Sequence, residues 1–366
     1  MRILHWTESF WPRIGGAEVF VRLLARDSQR RGHECLVVTD TAAGLPPDGW
    51  VDGLAIKRFP FQAALAARDI DAVTSLGTRA KGLLREFAPH VIHLHTAQPG
   101  AFFYLRAHRA VPVPSVFTTH DLVPSSGHDS PLLAQVLATA RRVVGISSAM
   151  VSRTIGAFPE IAPRIVQIRP GLPMPATSPS PLPWFPPVLL GIGRLTPEKG
   201  FDLFLRALPP LVRAVPDLKV AIAGDGPARA GLQGLASTLG LEARVRFLGW
   251  VEPEDIPGLI DGATAGVVPS RWQEPFGLVA VQAMQMARPV VAARIGGLPE
   301  AVRHEETGLL VPPEDPDALG QALAYLLSHP ERAIAWGENG RSHARVAFGW
   351  SRCASEYEAV YSEATR

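Results

Sequence analysis

Short apolar runs that end in glycine or a polar turn, each followed by a longer helix-patterned stretch, recur along almost the whole chain. Ile3-Leu4-His5-Trp6 leads through Gly15-Gly16 into a helical pattern from about Ala17 to Arg31. Cys35 to Val38, Val91 to His95, Ser115 to Thr118 and Arg142 to Ile146 repeat the theme. Unbroken apolar runs of this length read as strands covered on both faces, and their alternation with helices is the pattern of an open parallel sheet. From Pro170 to Pro187 the pattern stops. Eight prolines fall in that stretch, and neither a helix nor a central strand survives so many missing N–H groups. The alternation then restarts, with Val188 to Gly193, Leu218 to Ala223, Val245 to Leu248, Ala265 to Val268 and Pro289 to Ala292 as strands.

The expected fold is therefore α/β, with two consecutive Rossmann-like parallel-sheet domains at residues 1–170 and 188–349. Residues 171–187 read as an extended, semi-rigid linker. An amphipathic helix, about Trp350 to Glu363, closes the sequence within a last segment 350–366. A chain of 366 residues exceeds the size at which one core keeps growing, which also favours two domains. The net charge of +2 gives no reason to expect a nucleic-acid partner. Residues 1–175 carry a net +6 and the remainder a net −4, so the first half suits a phosphorylated acceptor or contact with an anionic membrane surface. Two cysteines, Cys35 and Cys353, cannot build a disulfide framework. The first residues read as a strand rather than a secretory leader, and no apolar run approaches the roughly 20 residues that span a bilayer. A cytoplasmic location, with peripheral contact at the inner membrane face, is the expectation. No obligate protein partner is indicated.

Two loops carry the chemistry. In Gly191-Ile192-Gly193-Arg194-Leu195-Thr196-Pro197-Glu198-Lys199-Gly200 a strand ends in a glycine-rich turn bearing two cations. Glycines let a phosphate approach the backbone, arginine offers a forked donor set, and lysine a compact charge. The chain has only four lysines among 36 basic residues, so Lys199 in that loop stands out. In Ser270-Arg271-Trp272-Gln273-Glu274-Pro275-Phe276-Gly277-Leu278, proline and glycine place a helix start near Phe276 to Leu278. Free N–H groups there can hold an anion or a hydroxyl. Glu274 lies just before that helix, and Gln282 about two turns along nearly the same face. As a bare feature Glu274 could equally be a helix-cap carboxylate.

With these residues in view, the chain resembles the family-4 retaining glycosyltransferases of the two-domain GT-B fold. The resemblance runs over nearly the whole length. It is carried by Gly15-Gly16-Ala17-Glu18, Thr118-Thr119-His120-Asp121, Gly193-Arg194-Leu195 with Lys199-Gly200, Ala223-Gly224-Asp225-Gly226-Pro227, Phe247-Leu248-Gly249-Trp250, Glu274-Pro275-Phe276-Gly277 and Gly296-Gly297-Leu298-Pro299-Glu300. It implies transfer of a hexose from a nucleotide diphosphate sugar to a hydroxyl acceptor, with retention and without a metal or other cofactor. Arg194 and Lys199 would stabilise the leaving diphosphate, Glu274 would touch the donor sugar, and His120 would sit over that sugar. Phe276, Gly277 and Leu278 would offer backbone N–H groups, and Val251 main-chain contact to the base. Gly15, Gly16, Gly193 and Gly224 would line the phosphate path. A uridine or guanosine diphosphate sugar is favoured, although main-chain contacts leave the base open. The resemblance also implies two domains facing across a cleft that closes on the donor, with the last helix packing back on the first domain.

One position departs from the family pattern. The second glutamate of its pair is here Gln282, which can still bond ribose through its amide but without charge assistance. Two other features carry no metal site. Asp69-Ile70-Asp71 matches a metal-binding signature of another transferase class, but lies in an Ala-rich helical stretch from Ala63 to Leu84 and reads as a solvated helix face. His93 and His95 share one face of a strand, yet no third ligand for a metal is apparent in the sequence. Alternative readings are an epimerase or phosphorylase of the same fold, or a non-catalytic nucleotide-sugar-binding protein.

Overall fold

The computed structural model describes residues 1–12, 15–42, 44–121, 123–124 and 129–366. The chain packs as two compact units, Met1–Arg169 with Arg352–Arg366, and Pro170–Ser351. The first is built on β1 (Arg2–Trp6), β2 (Glu34–Asp40), β3 (Asp48–Val51), β4 (Leu54–Phe59), β5 (Val91–Leu94), β6 (Ser115–Thr119), β7 (Arg142–Gly145) and β8 (Ile165–Gln167). They form one sheet in the order β3-β4-β2-β1-β5-β6-β7-β8. The pairings are parallel except at β3–β4. That antiparallel edge hairpin turns at Asp52-Gly53, both with positive φ, the geometry favoured by an Asp-Gly pair. Helices α1 (Gly16–Arg30), α2 (Phe61–Ala66), α3 (Ile70–Phe87), α4 (Gly100–Ala110), α5 (Pro131–Thr139) and α6 (Ser148–Ala157) cover the sheet. β1, β5 and β6 are buried almost throughout, as parallel strands between helical layers must be.

The second unit holds β9 (Val188–Ile192), β10 (Lys219–Ala223), β11 (Val245–Gly249), β12 (Ala265–Val268), β13 (Val290–Ala293) and β14 (Gly308–Val311). These form a parallel sheet in the order β11-β10-β9-β12-β13-β14. Around it lie α7 (Phe201–Ala214), α8 (Arg229–Thr238), α9 (Ile256–Asp261), α10 (Leu278–Gln285), α11 (Leu298–Ala301), α12 (Pro316–Ser328) and α13 (Pro330–Ala347). Leu205, Leu208, Val220, Ile222 and Val267 belong to one continuous apolar core between sheet and helices. The last helix, α14 (Trp350–Thr365), belongs to the first unit from Arg352 onward and buries Tyr357 and Tyr361 there.

Three local expectations change. The proline-rich stretch, read from sequence as a linker, is fastened to the second unit. Buried Gln285 donates to the carbonyls of Leu172 and Pro173, and Ser180 N–H donates to the Asp261 carboxylate at 2.8 Å. The helical pattern from Ala63 to Leu84 is two helices, because Asp69 sits between them with an extended backbone. It accepts from Ala72 N–H as the cap of α3, so only Asp71 lies in the helix itself. And β3, β4, β8 and β14 appear where no strand was assigned.

Candidate functional site

In each sheet the order reverses beside one strand: β1 lies between β2 and β5, and β9 between β10 and β12. Connections leave toward opposite sides there, which opens a crevice at the strand C-termini. Most of the predicted residues lie just past strand C-termini of the two sheets, and Leu278 and Gln282 lie in α10.

In the second unit, β9 runs into Gly193 and Arg194, then into a short helical turn Pro197–Lys199 ahead of α7. The turn after β10 locks onto it. Gly193 N–H donates to Ala223 O at 3.0 Å, and Leu195 N–H to Asp225 O at 2.9 Å. Gly224 must be glycine: its φ is 131°, and a Cβ would lie 1.8 Å from the Gly193 carbonyl oxygen. Arg194 is exposed on this turn. Lys199 reaches across to the loop after β12, where its ammonium donates to both Glu274 oxygens at 2.8 and 2.9 Å. Ser270 Oγ (3.0 Å) and Trp272 Nε1 (2.8 Å) donate to the same carboxylate, and the Trp272 ring lies 5.2 Å from the ammonium. The two side chains are 18% and 12% exposed, so their attraction is less screened than that of a surface pair. Glu274 is thus no helix cap. α10 begins after Gly277 with no side chain capping it.

Phe276 turns its ring inward against Phe348, 5.4 Å between centroids, so its contribution to a site is its backbone. Gly277 has φ 99°, and a Cβ there would stand 2.4 Å from Leu298 Cδ2. Gly297 N–H donates to Glu274 O at 2.7 Å, so the Gly296-Gly297 loop holds the glutamate loop from behind. Leu278 opens α10 and Gln282 lies half-buried along it. Val251 is part-buried just past β11, beside an exposed Trp250. The part that Trp272 and Ser270 play in holding Glu274 is not apparent from sequence. Their signal was their position within four residues of it in a loop that follows a buried strand.

In the first unit, Gly15 precedes α1 in extended backbone and Gly16 opens the helix. Glu18, in the first turn, accepts from Ser9 Oγ. His120 follows β6 and lines a cavity of about 190 Å³ with His95, Gln98, Thr119, Asp121 and Ser130. Behind it stands a file of rings. His120 Nε2 lies 3.1 Å from His95 Nδ1, and His95 Nε2 lies 3.1 Å from His5 Nδ1. His93 contacts Tyr361 Oη at 2.7 Å through Nδ1 and Thr118 Oγ1 at 2.8 Å through Nε2. Burial disfavours the charged form of each. It pushes His5 down to about 3 and His120 to about 4, and holds His93 and His95 well below the usual imidazole range.

His5 was read only as a strand residue. It is the register partner of His93 across β1 and β5, which brings it onto the same face. Nitrogens of His5, His93 and His95 lie within 4.8 Å of one another, so the third histidine that the sequence did not reveal is present. Apart from His5 Nε2, the ring nitrogens of these three histidines each meet a protein group already.

Comparison with known proteins adds to this geometry. Residues 14–174 match the model described as Glycosyltransferase Family 4, and residues 180–343 that described as Glycosyl transferases group 1. The chain is 31% identical to a D-inositol 3-phosphate glycosyltransferase of Saccharomonospora viridis, over 100% of this chain and 97% of that protein. It is 41% identical to the enzyme of the same name from Corynebacterium efficiens, over 49% of this chain and 43% of that protein. Among solved structures, sucrose-phosphate synthase from Thermosynechococcus elongatus superposes with a TM-score of 0.83 at 24% identity, covering 99% of this chain and 98% of the other. That likeness concerns the fold.

Proposed function

Because the chain belongs to the group 1 glycosyltransferases, we propose that it moves a hexose from a nucleotide diphosphate sugar to a hydroxyl acceptor, with retention and without a metal ion. The observation that carries the reading is the Lys199 ammonium, held by Glu274, on the same loop between β9 and α7 that exposes Arg194. As the bond from the anomeric carbon to oxygen breaks, negative charge develops on the diphosphate, and preorganised cations stabilise it where it appears. The start of α10 supplies N–H groups at Phe276, Gly277 and Leu278 for phosphate or sugar oxygens. Gly193 and Gly224 keep the backbone low enough for a phosphate to approach. Glu274 then faces the sugar, Gln282 the ribose and Val251 the base. The family resemblance also assigns Gly15, Gly16 and His120 to the phosphate and the sugar.

A uridine or guanosine diphosphate sugar is the donor in this reading. The name of the relative from Saccharomonospora viridis makes D-inositol 3-phosphate the first acceptor to try, and the net +6 of residues 1–175 suits a phosphorylated molecule. The test is transfer by the purified chain in the presence of a chelator, with the anomeric configuration of the product read by NMR. Lys199→Ala should lower turnover about 10²- to 10³-fold, the usual cost of losing one charge-stabilising donor. Near-normal transfer by that variant would remove the assignment. Conversion of the nucleotide sugar without any acceptor would point to an epimerase instead, and donor binding without turnover to a binding protein.

A further inference from the structure

The file of histidines in the first unit has a direction. His5, His95 and His120 touch in sequence through single nitrogens, 3.1 Å at each step. A neutral imidazole carries one N–H and one bare nitrogen. Each ring that donates at one end must therefore accept at the other, and only two arrangements satisfy both contacts. The protons sit on the three Nδ1 atoms, or on the three Nε2 atoms.

The inner end decides between them. His5 is fully buried, and among the described residues its Nε2 has no hydrogen-bond partner. With the protons on Nε2, the file ends in a buried N–H that donates to nothing. With the protons on Nδ1, it ends in an unused lone pair. An orphaned buried N–H is the rarer and costlier defect. His93 does not compete for the file. Its nitrogens are taken by Tyr361 and Thr118, and its ring packs 3.9 Å from that of His95 between centroids.

We infer that His5, His95 and His120 form an outward-polarised hydrogen-bond file, which fixes His120 with its proton on Nδ1 and makes it a donor toward an oxygen of the bound substrate. His5 and His95 are then positioning residues. Their part in turnover rests on the reading of His120 as a sugar contact, whereas the tautomer does not.

The full chain, labelled with ¹⁵N in its histidine rings, decides the matter through long-range ¹H–¹⁵N correlation at pH 7.5. Nδ1–H and Nε2–H tautomers give different cross-peak patterns, and His120 is assigned by the peaks lost in His120→Gln. The expected result is an Nδ1–H pattern for His120. His95→Phe should shift His120 toward the Nε2–H pattern. His95→Asn, whose amide can donate from near the Nδ1 position, should restore it. With an active donor and acceptor, His95→Phe should lower kcat about tenfold with little change in KM, and His95→Asn should stay within about threefold of the parent. An Nε2–H pattern in the unsubstituted protein overturns the inference, and so does a His120 pattern unmoved by His95→Phe. If His95→Phe fails to fold, the spectrum of the unsubstituted protein still decides. A chain with the Nδ1–H pattern but no transfer would sink the transferase reading and leave the file standing.

Discussion

Trp272 puts its indole N–H on Glu274 Oε2 at 2.8 Å and its ring beside the Lys199 ammonium at 5.2 Å, so one side chain orients both members of the ion pair. The two contributions can be separated. Trp272→Phe keeps a ring and removes the donor, while Ser270 and Lys199 still hold the carboxylate. The loss of one hydrogen bond to a charged group predicts a drop of about tenfold in kcat/KM, and Trp272→Ala should cost more because the ring goes as well. Steady-state kinetics with the donor varied measures this, and an unchanged kcat/KM in Trp272→Phe would show the indole donor to be idle. At this scale the sequence revealed residues that sit in glycine-flanked turns, such as Lys199 and Glu274, because the turn marks the end of a buried strand. It did not reveal their union, which joins positions 75 apart. His5 was hidden for the same reason. Its partner His95 lies 90 residues away, and a histidine inside an apolar run carries no local sign of what it meets.

At the scale of elements, strands were legible where burial on both faces forced an unbroken apolar run, as in β5 or β12. They were missed where only one feature spoke for them. β4 alternates, β14 is four residues after a charged loop, and the β3–β4 hairpin is announced only by Asp52-Gly53. The proline-rich stretch showed correctly that no helix or sheet strand passes through it, but not what holds it. Arg288 does much of that. It is 1% exposed, and it donates to the carbonyls of Ser180, Met286 and Asp261 and to the Asp261 carboxylate. Arg288→Ala would remove the guanidinium from the Ser180, Met286 and Asp261 carbonyls and leave the Asp261 carboxylate to Ser180 N–H. Asp261 keeps contact with solvent, so the cost to the second unit is about 1–3 kcal/mol, that of lost hydrogen bonds to partly buried acceptors rather than of a fully buried pair. Denaturant unfolding should show it, together with faster proteolysis near Ser180. Unaltered stability would mean that Ser180 N–H and the proline backbone hold the stretch without help from the guanidinium.

Across the whole molecule, the two units differ in what acid does to them. The first unit buries His5, His93 and His95 and half-buries His120, all held neutral by desolvation. A histidine released by unfolding takes a proton near pH 6.5, whereas the folded His5 does so only at about 3. Between those values the unfolded chain binds more protons than the folded one, so stability falls as pH falls. The contribution is complete above pH 6.5 and drains away below it. For His5 alone the loss amounts to about 3 kcal/mol by pH 4. His93 of β5 and Thr118 of β6 meet the Tyr361 and Tyr357 hydroxyls of α14, and β1 pairs with β5, so that set should loosen together. Hydrogen exchange followed by mass spectrometry at pH 7.5 and 4.5, corrected for intrinsic rates, measures it by region. Peptides covering Arg2–Trp6, Val91–Leu94, Ser115–Thr119 and the end of α14 should lose protection before those covering β9, β12 and β13. A loss spread evenly over both units would mean that the histidine file is not what acid attacks first.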